Sequence, residues 1–320
     1  MVDRRRATWI TAGLLVLGLA AAAAAFGQVS PHAHALIAFS RCRELDSCER
    51  GSDIWVMRPD ATGLKLLTQD GTHNDSPTWS PDGTHIAYVS GLAGRDAIWT
   101  MKADGTDKRQ VTQSLGLDEQ PAWSPDGRRI VFVHLLSNTS SELEVVNADG
   151  TGFLKRLIPA AGDYKHPSWS PNGRRIAYSY ARNPKRGHYA IYVVGANGRG
   201  AKRLSRNAHA DYLDPVWSPS GRQIAFSCLV PAGKSYRADL KTMNAAGGDE
   251  RAVAHARAHT VYFAPSWSPD GKRIAFVTLN ATKNQGEIAF VDSDGRRLQE
   301  LRQLLGDNRG PSWQASPRAR

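Results

Sequence analysis

The chain has 320 residues, of which 41% are hydrophobic and 22% charged, a balance that excludes a disordered or collagen-like polypeptide and suffices for one large folded body or two small ones. Its three cysteines exclude a scaffold built on disulfides. With 41 basic and 30 acidic residues the formal charge is +11, so an acidic partner is worth weighing, although charge alone names no ligand.

At the N-terminus Arg4, Arg5 and Arg6 stand ahead of an uncharged stretch from Ala7 to Ser30, with Ala33-His34-Ala35 just beyond it. A basic start, an apolar middle and small residues at the end form a signal peptide, and the apolar part is also long enough to stay in the bilayer. Residues 1–35 are therefore expected to be a cleaved signal peptide or a single N-terminal signal anchor. The rest of the chain is expected outside the cytoplasm: periplasmic, secreted or membrane-anchored. Loss of residues 1–35 removes three arginines and one aspartate, so the remainder keeps a charge of +9.

From residue 36 onward two phrases alternate. The first is PTWSPDGTHIAY from Pro77, repeated as PAWSPDGRRIVF, PSWSPNGRRIAY, PVWSPSGRQIAF and PSWSPDGKRIAF. Its tryptophans, Trp79, Trp123, Trp169, Trp217 and Trp267, are spaced by 44, 46, 48 and 50 residues, and Trp313 follows after another 46. The second phrase is an alternating strand, a turn and a short strand, as in DIWVMRPDATGLKLLT from Asp53 and AIWTMKADGTDKRQVT from Ala97. Period-two apolar patterning marks the strands, and the Asp-Gly or Asn-Gly pairs supply the left-handed backbone of a tight hairpin. A period of this length with several short strands marks a propeller blade. The expected fold is all-β, a six-bladed β-propeller of four-stranded antiparallel blades over residues 36–313, with residues 314–320 as a C-terminal tail. The first block, from Leu36, lacks a Trp-Ser-Pro phrase, and the last, around Trp313, lacks following strands. The C-terminal strand is therefore expected to complete the first blade and close the ring.

These phrases resemble the WD-like propeller repeats of the TolB family, over nearly all of residues 36–313. The resemblance implies a periplasmic protein of the Tol-Pal envelope system that binds a peptidoglycan-associated lipoprotein and other envelope proteins. The small α/β domain that the family carries ahead of its propeller is expected to be missing, because Leu36 already lies in the first blade. Similar repeats form the non-catalytic propeller of prolyl-oligopeptidase-like peptidases, but their hydrolase domain, about 200 further residues, is not expected here.

In a four-stranded blade the Ser-Pro-Asp-Gly turns and the Asp-Gly turns emerge on one face. The opposite face carries the irregular loops and the crossings between blades, and variable loops on a repeated scaffold are where binding concentrates. The crossings bring Asp75, Glu119, Lys165, Leu213, Phe263 and Arg309, each four positions before a tryptophan, to the expected mouth of the central channel. Asp163, Tyr164, His166, Tyr212, Asp214 and Tyr262 lie beside them. Together with Asp75, Glu119 and Phe263 they are candidate contacts to a protein or peptide partner, because aromatic surfaces with sparse charges suit recognition; the other reading is loop residues that cap the channel. Basic loop residues Arg182, Lys185, Arg186, His188, Lys234 and Arg237 suit an acidic partner or the anionic envelope surface. Nucleic-acid binding is not expected, since the export signal opposes it and no recognition motif is present.

No catalytic motif or cofactor loop is present. His255 and His259 have a four-residue spacing but lack the glutamate of His-Glu-x-x-His, so no metal site is expected. Cys42 and Cys48 flank five residues and are candidates for a small disulfide loop outside the cytoplasm; Cys228 is left over and expected to be buried. The function read from these features is an extracytoplasmic propeller scaffold that binds a partner in the cell envelope. The alternative is an envelope saccharide or lactone hydrolase or lyase, with Asp75, Glu119, Asp163, His166 and Asp214 as the first residues to suspect.

Overall fold

The computed structural model describes residues 35–43, 51–91, 95–113, 116–152, 155–185, 188–232, 235–257, 259–280, 285–301 and 307–315. The expected signal segment up to residue 34, Cys48, Arg186, Lys234 and residues 316–320 lie outside them. Every regular element among the described residues is a strand, and no helix there is long and apolar enough to cross a membrane.

Three strands open the chain, β1 (Ile37–Cys42), β2 (Ser52–Met57) and β3 (Lys65–Leu66). A second group holds β4 (His73–Trp79), β5 (His85–Gly91), β6 (Asp96–Lys102) and β7 (Arg109–Gln110), and a third β8 (Leu117–Trp123), β9 (Arg129–Ser137), β10 (Ser140–Asn147) and β11 (Lys155–Arg156). The fourth comprises β12 (Asp163–Trp169), β13 (Arg175–Ala181), β14 (Ala190–Gly195) and β15 (Lys202–Arg203). The fifth comprises β16 (Asp211–Trp217), β17 (Gln223–Ala232), β18 (Ser235–Asn244) and β19 (Arg251–Ala254). The sixth comprises β20 (Thr260–Trp267), β21 (Arg273–Asn280), β22 (Gln285–Asp292) and β23 (Gln299–Glu300), and β24 (Asn308–Trp313) ends the series. Within each group neighbours in sequence pair antiparallel, and β24 pairs with β1, so the first sheet runs β24-β1-β2-β3. One parallel bridge, Ala238 to Val261, joins the fifth and sixth groups into a single eight-stranded sheet.

The Ser-Pro-Asp-Gly phrase makes its turn through the serine. Ser80 Oγ donates to Asp82 (2.6 Å) and accepts from the His85 amide (2.9 Å), while Gly83 takes a φ of 70°. The same serine-to-amide bond recurs at Arg129, Arg175, Gln223 and Arg273. Such a turn satisfies backbone groups that the hairpin would otherwise leave open.

Each tryptophan lies between two consecutive groups. The buried core around Trp79 draws Ala38, Ile54 and Leu67 from the first group and Ile86, Tyr88 and Met101 from the second. Five further cores repeat this arrangement, and the one around Trp313 joins Ala275, Ile288 and Phe290 of the sixth group to Ile37 and Phe39 of the first. The small residue of each Ile-Ala-Phe strand is explained by this packing: Ala38, Ala177, Ala225 and Ala275 are fully buried in the cores of Trp79, Trp217, Trp267 and Trp313. Arg129, Arg175 and Arg273 add a guanidinium over Trp169, Trp217 and Trp313, at 5.0, 5.0 and 5.5 Å from the ring centre.

The crossing into β4 carries one acid-sensitive group. Burial raises the Asp70 carboxyl, but hydrogen bonds from the Thr72 hydroxyl (2.6 Å) and the Asn74 amide (2.8 Å), with Lys108 3.4 Å away, outweigh it and lower the pKa to about 2. A carboxylate with a depressed folded pKa contributes stability above its unfolded pKa and loses it as pH falls through the folded one. Stability is expected to decline from about pH 4, the unfolded aspartate value, toward pH 2. Urea midpoints of Asp70→Asn across this window should be flatter than wild type; an identical slope would remove Asp70 from the account.

Candidate functional site

The six first strands, β24, β4, β8, β12, β16 and β20, touch one another in that order, and β20 touches β24 again. Each bends at one β-bulge, where the ladder register shifts. The residue at the bend, just before proline, has a left-handed backbone every time: Ser76, Gln120, His166, Asp214, Ala264 and Gly310 take φ values from 50° to 55°. Only one of the six is glycine, so the conformation is imposed on side chains that rarely adopt it, and the surrounding ladder must hold it.

The residues just before the bends are Arg309, Asp75, Glu119, Lys165, Leu213 and Phe263 in the order of the sheets, all partly exposed. Two carboxylates are thus adjacent, a cation stands on either side of them, and two apolar side chains complete the set. Asp75 is tied to the Ser40 hydroxyl and accepts from the Ser76 amide (2.6 Å). Burial raises the Glu119 carboxyl above its usual range; Asp96 and Asp75 push the same way, against Lys165 and His166. Asp96 is raised likewise, by burial and then Asp75, against His73. One side of the set is therefore crowded with negative charge.

The bend residues form a polar chain across four strand groups. Gln120 Oε1 accepts from the His166 amide (2.7 Å), and His166 Nδ1 lies 2.9 Å from Asp214 Oδ1. Asp214 Oδ2 accepts from the Ala264 amide (3.0 Å) and from Ser227 Oγ (2.9 Å). Burial of Asp214 opposes its charge, but His166, Ala264 and Ser227 together outweigh that and hold its carboxyl below the usual range.

The candidates named from sequence therefore separate. Asp75, Glu119, His166, Asp214 and Phe263 come together along the first strands. Tyr164, Tyr212 and Tyr262 do not join them: they are 1–2% exposed and sit in the same buried cores as Trp169, Trp217 and Trp267. Here the structure differs from the aromatic mouth expected from sequence, and the bulge is the reason. An uninterrupted strand would put residues an odd number of places from tryptophan on the opposite face, but one extra residue returns the tyrosine five places back to the tryptophan's side. Asp163 is also buried, accepting from Ser141 Oγ (3.0 Å) and the Tyr189 hydroxyl. It acts as a latch between neighbouring sheets, as Asp211 does to the Tyr189 amide (2.7 Å) and Asp307 to the Gly286 amide (2.9 Å). Cys42 is disulfide-bonded, Cys228 is free and buried, and Cys48, the expected partner of Cys42, falls outside the described residues.

The sequence profile of the TolB beta propeller domain matches residues 30–206 and 108–317. No curated protein matches the chain. Among solved structures, TolB from Acinetobacter baumannii is similar at a TM-score of 0.74 and 22% identity, over 89% of this chain and 68% of that one. The putative TolB from Agrobacterium tumefaciens gives 0.65 at 18%, over 86% and 91%. An oligogalacturonate lyase in complex with manganese gives 0.51 at 13%, over 79% and 70%. At these identities the likeness is one of fold.

Proposed function

The chain belongs to the TolB beta propeller domain family, and from that membership we propose that it is an extracytoplasmic scaffold that binds a protein or peptide partner in the cell envelope. The architecture in this reading is a six-bladed propeller closed by β24. The six inter-sheet cores, one of them between the sixth and first groups, support it, as do the contacts among the first strands.

The observation that carries the proposal is the order of side chains before the bends. In a closed ring of six, Asp75 and Glu119 face Leu213 and Phe263 across the channel. A carboxylate pair opposite an apolar pair fits a peptide segment that presents an apolar side chain beside a lysine, an arginine or a free amino group. The basic start of the chain, Arg4 to Arg6, and the apolar stretch behind it support export. Capture from producing cells tests the site: replacing Asp75→Asn, Glu119→Gln, Leu213→Ser and Phe263→Ser together should abolish recovery of the partner while the fold is kept. Unchanged recovery would move the site elsewhere.

A second reading, a hydrolase or lyase at the same mouth, is favoured by the Glu119 carboxyl, which burial and the neighbouring Asp96 and Asp75 raise, since a raised carboxyl holds its proton to higher pH, as a general acid must. It predicts turnover of an envelope saccharide that is lost in Glu119→Gln.

A further inference from the structure

A pocket of about 460 Å³ opens on the flank of the fourth blade, on the end of β13, on β14 and β15, and on the residues between β13 and β14. Its size lies within the range of small-ligand sites, roughly 300–1,000 Å³. Tyr180, Tyr192, Arg182, Arg203, Asn183 and His188 line it, and no acidic residue is among the described residues that do. We propose that this pocket binds an acidic saccharide, whose sugar face packs on the tyrosine rings and whose carboxylate is taken by Arg182 and Arg203.

Tyr180 and Tyr192 each pack one side against the core around Trp169, but the repeats of the chain itself argue that the fold does not require a tyrosine at either place. Tyr192 stands at a fixed register position, between Tyr178 on β13 and Arg203 on β15. At the same position the other blades carry Trp55, Trp99, Glu144, Lys241 and Ala289. The position of Tyr180 holds Arg41, Ser90, His134, Cys228 or Thr278 elsewhere. A position that builds the cores keeps its residue type from blade to blade, as Ile176 does; these two positions do not. Only the fourth blade puts a tyrosine at both.

The geometry suits a ring with a negative group at its edge. The rings of Tyr180 and Tyr192 lie at 86° with centres 5.4 Å apart, so they form two walls at right angles. The Tyr180 hydroxyl donates to the Ala161 carbonyl (2.8 Å), which fixes that wall. Arg203 is held by its Nε, which donates to the Ser205 carbonyl (2.8 Å). Arg182 is exposed and close enough to the Tyr180 hydroxyl to oppose the rise that burial gives its pKa. His188 Nδ1 sits 3.3 Å from Asp211 Oδ2, which orients the imidazole at the rim. Asn183 Oδ1 accepts the Lys185 amide (3.1 Å), leaving its amide nitrogen as a donor for sugar hydroxyls. Aromatic faces pack against the C–H faces of sugars, and guanidinium forks match carboxylates in two parallel hydrogen bonds.

The test is calorimetric titration of the full chain with a glucuronate–N-acetylglucosamine disaccharide, with neutral diacetylchitobiose and with sodium acetate. The acidic disaccharide is expected to bind, and the other two to bind at least about tenfold more weakly. Arg182→Gln with Arg203→Gln should weaken the acidic disaccharide by about tenfold or more. Arg174→Gln with Arg199→Gln, which removes the same charge from exposed turns at the other end of the same blade, should leave it unchanged. Four results would overturn the proposal: no binding of the acidic disaccharide, equal binding of the neutral one, equal binding of acetate, or an equal loss in the Arg174 and Arg199 control. Melting curves of both double variants show whether the fold is intact, and because none of these residues lies at the channel, failure here leaves the partner-binding reading standing.

Discussion

A chain shortened by residues 307–320 is expected not to reach a stable monomeric fold. The loss removes β24, and with it the ladder from Ile37 to Trp313 and from Arg41 to Asn308. It removes Trp313 from the core shared by the first and sixth strand groups, and a buried tryptophan replaced by alanine alone costs about 3–5 kcal/mol. It also removes Asp307, whose backbone carbonyl accepts from the Cys42 amide (3.0 Å) and whose carboxylate accepts from the Gly286 amide and from Arg309 (2.6 Å). The exposed edge of β1 would then be free to pair with another chain. The shortened protein should appear as aggregate or as a loosened species without cooperative unfolding, and a peptide spanning residues 307–315 should restore the transition when added in trans. Trp313→Ala is the milder form, with a lowered midpoint and retained cooperativity. A shortened chain that melts like the full one would contradict closure by β24.

Asp214→Ala is expected to be the most damaging single change along the first strands. The carboxylate is buried, and four partners depend on it or answer to it: His166, the Ala264 amide, Ser227 and, through His166, Gln120. Removing this buried acceptor leaves the Ser227 hydroxyl and the Ala264 amide without a partner, at about 1–3 kcal/mol each. For a domain of this size each kcal/mol corresponds to roughly 2 °C in the melting midpoint, so a fall of about 5–10 °C is expected. The carboxyl is held below its usual range in the folded state. Its contribution is therefore present above the unfolded aspartate value, about 4, and is lost as pH falls through the lower folded value. His166→Ala should cost comparably, and the double variant less than the two singles together, the mark of a coupled pair. Additive losses would mean that the two side chains act independently.

The repeat was legible because its signals are local. Trp-Ser-Pro sets a turn and a wedge, Ile-Ala-Phe sets a strand with a gap for the neighbouring tryptophan, and Asp-Gly sets a hairpin. All of these act within a few residues, and Ile37, Ile86, Ile130, Ile176, Ile224 and Ile274 each sit on the strand the phrase predicts. The place of Asp75, Glu119 and Phe263 ahead of the bends is also legible, because counting back from tryptophan locates one position in every repeat. Tyr164, Tyr212 and Tyr262 were misplaced by the bulge that precedes each proline. Its left-handed residue is glycine only at Gly310, so the usual sequence mark of such a bend is missing from Ser76, Gln120, His166, Asp214 and Ala264. Asp163 reads as a possible contact because sequence order does not bring together its latch partners, Ser141 on β10 and Tyr189 just ahead of β14. The flank pocket was half visible: Arg182 and His188 stood out as a basic loop, while Tyr180, Tyr192 and Arg203 are distributed over three strands. Aligning the six repeats by register, rather than by the Trp-Ser-Pro phrase alone, exposes the two tyrosine positions.

The most direct test of partner binding at the channel mouth is photo-crosslinking in intact producing cells, with a photo-reactive phenylalanine derivative placed at Phe263 in one strain and at Thr84, on the Ser-Pro-Asp-Gly face, in another. The account predicts a discrete adduct with one envelope protein from position 263, absent at position 84 and abolished when Asp75→Asn and Glu119→Gln are added. The same adduct from position 84, with none from 263, would place recognition on the turn face and contradict it.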